Sequence, residues 1–189
     1  MQIPIINGIF TDEAPDFRTS YPKNLIPVPK NEGISEGYLR PGEGLEDFAT
    51  GTAVDRGGIN WDGVLYRVLG SKLVEISATG VIIDLGDVGG IDELVTMVYS
   101  FDRLAIASNE NLFYWDKTAF EQVTDIDLRV VLDVEWVDGY FMTTDGEFLV
   151  VTELNDPTSV DPLKYGSSEA SPDPIVAILK LRNEIYALN

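Results

Sequence analysis

The sequence predicts an all-β fold, a β-propeller with about three and a half four-stranded blades. Apolar strand pairs meet at turns that recur about every forty residues, at Trp61-Asp62-Gly63, Phe101-Asp102-Arg103, Val137-Asp138-Gly139 and Leu181-Arg182-Asn183. A second turn follows each of the first three, at Gly70-Ser71-Lys72, Asn109-Glu110-Asn111 and Thr144-Asp145-Gly146. Two hairpin turns per repeat join four strands, which is the content of one propeller blade.

The first 48 residues differ in character from the repeats. Six prolines punctuate them, and because proline removes a backbone donor and fixes φ, regular structure here is expected to be short. We predict an extended N-terminal arm over 1–48 and a partial propeller over 49–189. Within the arm, 24–29 is compatible with one edge strand or a polyproline segment.

The blades are assigned from runs of apolar and alternating residues. The first begins near Gly51, and the predicted strands are 64–68, 72–76 and 81–85 in the first blade, 94–99, 104–107, 112–115 and 120–123 in the second, and 132–137, 140–143 and 148–151 in the third. In the third blade Leu132, Val134 and Trp136 alternate with Asp133 and Glu135. This alternation predicts a half-exposed strand whose acids face solvent.

A long polar segment, 155–174, follows the third blade. It carries four prolines and is predicted to be a connection that is longer than most in a compact domain. A last strand pair follows at 175–181 and 185–188. Such a pair leaves an open strand edge, which proteins normally avoid. We therefore expect either that the chain is the N-terminal part of a longer propeller or that a partner covers the edge.

Composition excludes several classes of function. There is no cysteine and no histidine, so neither imidazole-based triads nor His- and Cys-type zinc sites can form. There are 32 acidic and 13 basic residues, for a net charge of -19, which argues against non-specific duplex DNA binding and against an anionic membrane surface. No apolar run approaches the ~20 residues of a membrane span.

No catalytic, cofactor or metal site is predicted. The acids Asp125, Asp127, Asp133 and Glu135 lack the spacing of an EF-hand and are interpreted as the solvated face of a strand. The stretch 86–90 is glycine-rich but lacks the lysine of a phosphate-binding loop, so its glycines are interpreted as turn residues. The three tryptophans are expected to pack between blades.

Several segments together resemble one family, the packaged-DNA stabilisation proteins, or tail-hub accessory factors, of short-tailed bacteriophages. The stretches that carry the resemblance are 24–30 (NLIPVPK), 37–44 (GYLRPGEG), 60–73 (NWDGVLYRVLGSKL), 86–88 (GDV), 156–165 (DPTSVDPLKY) and 170–176 (ASPDPIV). Each block is short, and it is their order and spacing across nearly the whole chain that matches.

The resemblance implies a virion structural protein that is not an enzyme. It implies a subunit of a ring, hexameric in the family, that lies below the portal and its adaptor ring, helps retain packaged DNA and holds the tail needle and the tailspikes or fibres. Assembly in the host cytoplasm is expected, and DNA passes nearby without sequence-specific binding. Aromatic and arginine side chains dominate interface energies, so the first partner contacts to consider are Tyr21, Tyr38, Leu39, Arg40 and Tyr165.

Two alternatives stay open at this point. One is a generic propeller scaffold for other proteins, although the Gly-His pairs of WD40 blades are absent and Trp-Asp pairs occur at two places, Trp61-Asp62 and Trp115-Asp116. The other is a carboxylate-dependent propeller glycoside hydrolase, which needs only two suitably placed acids.

Overall fold

The computed structural model describes residues 24–29, 37–167 and 173–189, and every helix or strand element in these ranges is a β-strand. The chain divides into two compact units, Met1–Asp47 and Phe48–Asn189. In the first unit β1 (Leu25–Pro29) pairs antiparallel with β2 (Gly37–Pro41). No helix in the described ranges is long and apolar enough to span a bilayer.

The second unit consists of three four-stranded antiparallel sheets and one two-stranded sheet. Blade 1 contains β3 (Asp55–Trp61), β4 (Val64–Leu69), β5 (Lys72–Ile76) and β6 (Ile82–Asp87); blade 2 contains β7 (Thr96–Tyr99), β8 (Leu104–Ser108), β9 (Asn111–Trp115) and β10 (Phe120–Gln122); blade 3 contains β11 (Asp133–Val137), β12 (Tyr140–Thr144), β13 (Phe148–Glu153) and β14 (Asp156–Ser167); and blade 4 contains β15 (Ala177–Leu181) and β16 (Glu184–Leu188). The prediction of an all-β fold with three and a half four-stranded units is confirmed.

The first strands of the sheets lie beside one another, β3 next to β7, β7 next to β11, and β11 next to β15. The core occupies the spaces between neighbouring sheets. Between blades 1 and 2 the cluster includes Trp61, Leu73 and Ile106, and between blades 2 and 3 it includes Leu112 and Phe141. All five residues of β8 are buried, because this strand packs against a neighbouring sheet on each face.

Two of the three Asp-Gly turns have positive φ at both the aspartate and the glycine. Asp62 and Gly63 have φ values of 56° and 79°, and Asp138 and Gly139 have 50° and 91°. Positive φ at both central residues is the type I′ geometry, which matches the twist of the two strands that it joins. These turns set the register of the first hairpin in blades 1 and 3.

The segment predicted as a long connection proved to be mostly strand. Asp156–Ser167 forms β14, the outer strand of blade 3. Its register against β13 shifts twice, between Val150 and Thr152 and again before Glu153. Pro157 and Pro162 stand in these irregular parts, where an edge strand tolerates a residue that has no N–H to donate.

The first strand of blade 1 was not identified from the sequence. β3 contains Gly57 and Gly58, and Gly57 has a φ of 150° at a break in its register with β4. Glycine weakens the apolar alternation by which strands are recognised. A Cβ on Gly57 would approach Val95 to 3.1 Å, so the bulge brings the chain entering blade 2 close to β3.

Candidate functional site

Three of the predicted partner contacts lie together on β2. Tyr38 is 56% exposed, and Arg40, two residues along the same face of the strand, forms an ion pair at 3.9 Å with Glu43. Leu39 points to the other face and is half-buried. Tyr21 lies outside the described residues. The geometry leaves Tyr38 and Arg40 available to a partner, and their role stays a prediction.

Tyr165, the fifth predicted contact, lies on β14 of the second unit. It is 62% exposed, and its ring meets Phe148 edge-on at 5.5 Å. The adjoining cleft also contains Arg129 and Lys164, but each cation already has a carboxylate partner, Arg129 with Asp145 and Lys164 with Glu153. The surface beside Tyr165 is therefore aromatic, and its two cations are already paired.

Arg56 is a buried arginine at the interface between blades 1 and 2. Its side chain is fully buried, and its guanidinium donates to the carbonyl oxygens of Gly70 (2.9 Å), Gly89 (2.6 Å) and Glu93 (2.6 Å) and to Ser108 Oγ (2.9 Å). It joins the β4–β5 turn, the linker between the blades and the end of β8. Buried charges persist when their donors are satisfied, and this one is satisfied largely by backbone.

The glycine-rich linker makes room for that guanidinium. Gly89 and Gly90 have φ values of 66° and 70°, and a Cβ on Gly90 would lie 2.6 Å from Arg56 Nη2. The two glycines are thus turn residues, as predicted, and Gly90 also permits a close approach that no larger residue would allow.

Asp133 joins blade 3 to blade 4. It is 8% exposed, and its carboxylate accepts the N–H groups of Val134 (2.9 Å) and Ile178 (2.8 Å). The prediction that the acids of this strand face solvent is therefore wrong at Asp133. Leu132, which the alternation places on the face opposite to Asp133, is 45% exposed. A carboxylate can occupy a buried position when it accepts backbone N–H groups that would otherwise have no partner.

Lysine side chains cover two of the tryptophans across blade interfaces. Lys117 Nζ lies 4.5 Å from the ring centre of Trp61 in blade 1 and pairs with Asp62. Lys180 Nζ lies 5.1 Å from the ring centre of Trp136 and donates to its carbonyl oxygen at 2.8 Å. Each contact crosses from one blade to its neighbour and adds a cation–π attraction to apolar packing. The tryptophans are thus packing residues, as predicted.

One face of blade 4 is apolar and uncovered. Leu179 and Tyr186 face each other across β15 and β16 and are 51% and 44% exposed. Leu181 and Leu188 are 57% and 46% exposed. The opposite face contains Ile178, which is 4% exposed, so the hairpin is covered on one side and open on the other.

Several aspartates stabilise turns by accepting backbone N–H groups. Asp116 accepts N–H groups from Thr118 and Ala119, and Asp145 accepts them from Glu147 and Phe148. Within the described ranges no three acidic side chains cluster as metal ligands would. Hydrogen bonds to Ala119 and Thr118 hold the pKa of Asp116 below its ordinary value. A glycosidase acid needs the opposite, a raised pKa.

Asp145 predicts a pH dependence of stability. Burial disfavours its ionised form, but the N–H groups of Phe148 and Glu147 and the charge of Arg129 outweigh it, so the pKa of Asp145 is lowered. A lowered folded pKa contributes stability above the unfolded value of about 3.9, and this stability is lost as pH falls through the folded pKa. We expect Asp145→Asn to lower the free energy of unfolding by about 1 kcal/mol at pH 7.

Urea unfolding of the Asp145→Asn variant and of the unmodified protein, from pH 7 down to pH 2.5, measures this difference. The difference between the two free energies of unfolding should narrow below about pH 4, where the aspartic acid becomes neutral like asparagine. A difference that stays constant over the whole range would contradict the assignment. Asp84→Asn is a matched control, because Asp84 is exposed and its nearest cation, Lys72, is 3.8 Å away.

Arg56, which donates four side-chain hydrogen bonds within the described part of the second unit, was not predicted from the sequence. The hydrogen-bond acceptors of Arg56 lie 14, 33, 37 and 52 residues away in the sequence, so no local motif predicts them. A basic residue directly before two glycines was the one local feature that could have drawn attention to Arg56. Basic residues are scarce in this chain, which has 13 of them. Asp133 was named in the sequence, but as a surface acid.

Comparison with known proteins gives a family and a fold. The family model described as "Bacteriophage P22 Gp10, beta-propeller" matches residues 1–189. One curated relative is "Tail hub protein gp10" of Salmonella phage P22, which is 28% identical over 196 residues. The match covers 94% of this chain and 40% of the relative, so the chain spans well under half the length of that protein.

Two solved structures resemble the fold alone. The computationally designed Ika4 protein aligns with a TM-score of 0.53 and 7% identity, over 76% of this chain and 91% of its own. The designed Ika8 protein aligns with a TM-score of 0.54 and 7% identity, over 89% of this chain and 53% of its own. The arrangement of sheets seen here therefore also occurs in chains with almost no sequence in common.

Proposed function

Since the chain belongs to the phage P22 Gp10 β-propeller family, we propose that it is part of a tail-hub subunit of a bacteriophage virion. The observation that carries the proposal is the match of the family model to residues 1–189. The name of the P22 relative, a tail hub protein, points to the same role. The protein acts as a structural component and carries out no catalysis.

We further propose that several copies form a ring that closes the DNA exit channel below the portal and its adaptor, and that docks the needle and the fibres or tailspikes. The net charge of -19 supports this arrangement, because an acidic wall repels phosphate and lets DNA pass without holding it. In this proposal residues 1–48 act as an arm and residues 49–189 as the propeller body, with Tyr21, Tyr38, Leu39, Arg40 and Tyr165 as partner contacts.

The open face of blade 4 supports an assembled state. In blades 1 and 2 the corresponding apolar faces are covered by the next sheet. Leu179, Leu181, Tyr186 and Leu188 present a similar face to solvent, and contiguous apolar patches of this kind mark interaction sites. We expect a further β-sheet to cover them, whichever polypeptide supplies it.

Peptide mass spectrometry on purified virus particles tests the role. Peptides of this chain should be present at a few copies per particle, in the fraction that contains tails. Absence from particles would overturn the proposal and favour a general interaction scaffold outside the virion.

Loss-of-gene particles test the finer part of the proposal. Particles assembled without the protein should package DNA and then release it, and supplying the protein in trans should restore retention. Particles that keep their DNA but lack fibres would leave the tail location intact and contradict the stabilising role.

A further inference from the structure

A cleft of about 260 Å³ opens between blades 2 and 3 at the end of the molecule that carries the β8–β9 turn. Its lining comes from the linkers that enter blades 2 and 3 and from that turn. Ala107 and Val131 are 3% and 2% exposed, and the N–H of Val131 donates to the carbonyl oxygen of Glu110 at 3.1 Å. The base of the cleft is therefore built from well-packed strands and linkers, with the buried Ser108 beside Ala107 and Val131.

Two aliphatic side chains stand at the mouth of the cleft. Leu94 is 86% exposed and Leu132 is 45% exposed, and they come from the two different linkers. Single exposed leucines are ordinary, whereas a pair that borders one cleft creates a local apolar surface. Removing both from water would stabilise a complex through the hydrophobic effect.

Carboxylates accompany the two leucines. Glu93 and Glu110 are among the lining residues, and no lysine or arginine lines the described cleft. The Glu93 side chain is 68% exposed, and backbone N–H groups of Glu93, Asp92 and Ile91 hold its pKa below the ordinary value. The Glu93 carboxylate lies 3.9 Å from the buried guanidinium of Arg56, and Glu110 is exposed, so Glu110 and the exposed side of Glu93 face an outside cation.

We propose that this cleft is a docking site for a segment of another protein that presents leucine-like side chains next to lysine or arginine. The aliphatic pair matches the apolar part of such a segment, and Glu93 and Glu110 match its positive charges. The net charge of -19 steers a basic segment toward the protein. The site rests on the proposed function only in placing its partner among virion proteins.

Methyl NMR on the isolated chain tests the cleft directly. The probe is the synthetic peptide Ac-Lys-Leu-Lys-Leu-Lys-NH2, with Ac-Glu-Leu-Glu-Leu-Glu-NH2 and Ac-Lys-Ser-Lys-Ser-Lys-NH2 as controls for charge and for apolar contact. The methyl signals of Leu94 and Leu132 should shift saturably with the first peptide. Both controls should bind at least about threefold more weakly, since each lacks one of the two contributions.

Variants separate the cleft from the general acidic surface. The double variant Glu93→Gln/Glu110→Gln should bind the first peptide at least about threefold more weakly than the unmodified protein does. Added salt should reduce this difference in affinity. The matched variant Glu46→Gln/Asp47→Asn removes the same charge at two other exposed positions and should leave the affinity unchanged. Leu94→Ser should abolish saturable shifts at Leu132 without loss of folding, because Leu94 is largely exposed.

Three results would overturn the proposal. The first is equal weakening by the two double variants, which would indicate attraction to net charge alone. The second is saturable shifts confined to methyl groups elsewhere. The third is a dependence of the Leu94 and Leu132 signals on protein concentration without peptide, which would make a second copy the occupant. These readouts use no virus particle, so failure of the cleft and failure of the tail-hub assignment are distinguished.

Discussion

Replacing Arg56 with methionine is expected to lower the free energy of unfolding by about 3–5 kcal/mol. The substitution leaves three carbonyl oxygens, of Gly70, Gly89 and Glu93, without the guanidinium that they now accept from. The carbonyl oxygens stay buried in the variant without a donor. The free energy that this costs exceeds what burial of the apolar methionine side chain contributes. Blades 1 and 2 should separate more easily as a result.

Urea unfolding followed by tryptophan fluorescence measures the effect. Arg67→Met is the matched control, because Arg67 pairs with Asp55 at the surface, where the two side chains are 34% and 45% exposed, and surface pairs contribute at most about 1 kcal/mol. Arg56→Lys should recover little stability, since one ammonium cannot reach acceptors in three directions. Equal losses for Arg56→Met and Arg67→Met would show that Arg56 does not hold the blades together.

Replacing Asp133 with asparagine is expected to lower the free energy of unfolding of blade 4 by about 2–3 kcal/mol. Both carboxylate oxygens accept backbone N–H groups, one of them from Ile178 of β15. Asparagine offers one acceptor and turns an NH2 group toward one of these donors. A two-stranded hairpin is marginal by itself, so β15–β16 should detach locally before the other blades unfold.

Amide hydrogen exchange distinguishes local from global loss in this variant. Exchange at Ile178 and along β16 should accelerate at least about tenfold, while β8 keeps its protection. Glu135→Gln is the control, because its side chain lies on the same strand, is partly exposed and neutralises the same charge. Uniform acceleration in all sheets, or similar exchange in both variants, would refute a specific connection between blades 3 and 4.

Much of the fold follows from local chemistry. The turns at Asp62-Gly63 and Asp138-Gly139 were predicted because glycine tolerates positive φ, and in the structure both residues of each pair adopt it. The strands around them follow from apolar runs whose length suits a buried strand. Strand prediction failed at β3 and β14, where glycines in one case and prolines in the other removed the local pattern while pairing with neighbouring strands still formed.

The candidate site was less predictable than the fold. Tyr38 and Arg40 were chosen for their residue type, and the structure exposes both, because short strands in a proline-rich segment bury little. The cleft that includes Leu94 and Leu132 could not be chosen in this way. Its two leucines are 38 residues apart, and in the sequence they resemble the ends of ordinary apolar strands.

The sequence alone determined the class of fold, the number of repeats and the absence of imidazole and thiol chemistry, since turn residues, periodicity and composition are local properties. Tertiary structure decided which polar groups became internal. Arg56 and Asp133 resemble surface residues in the sequence, and each is buried because distant backbone groups meet around it. A charged side chain leaves water only where enough hydrogen-bonding partners converge, and that convergence arises when the sheets pack.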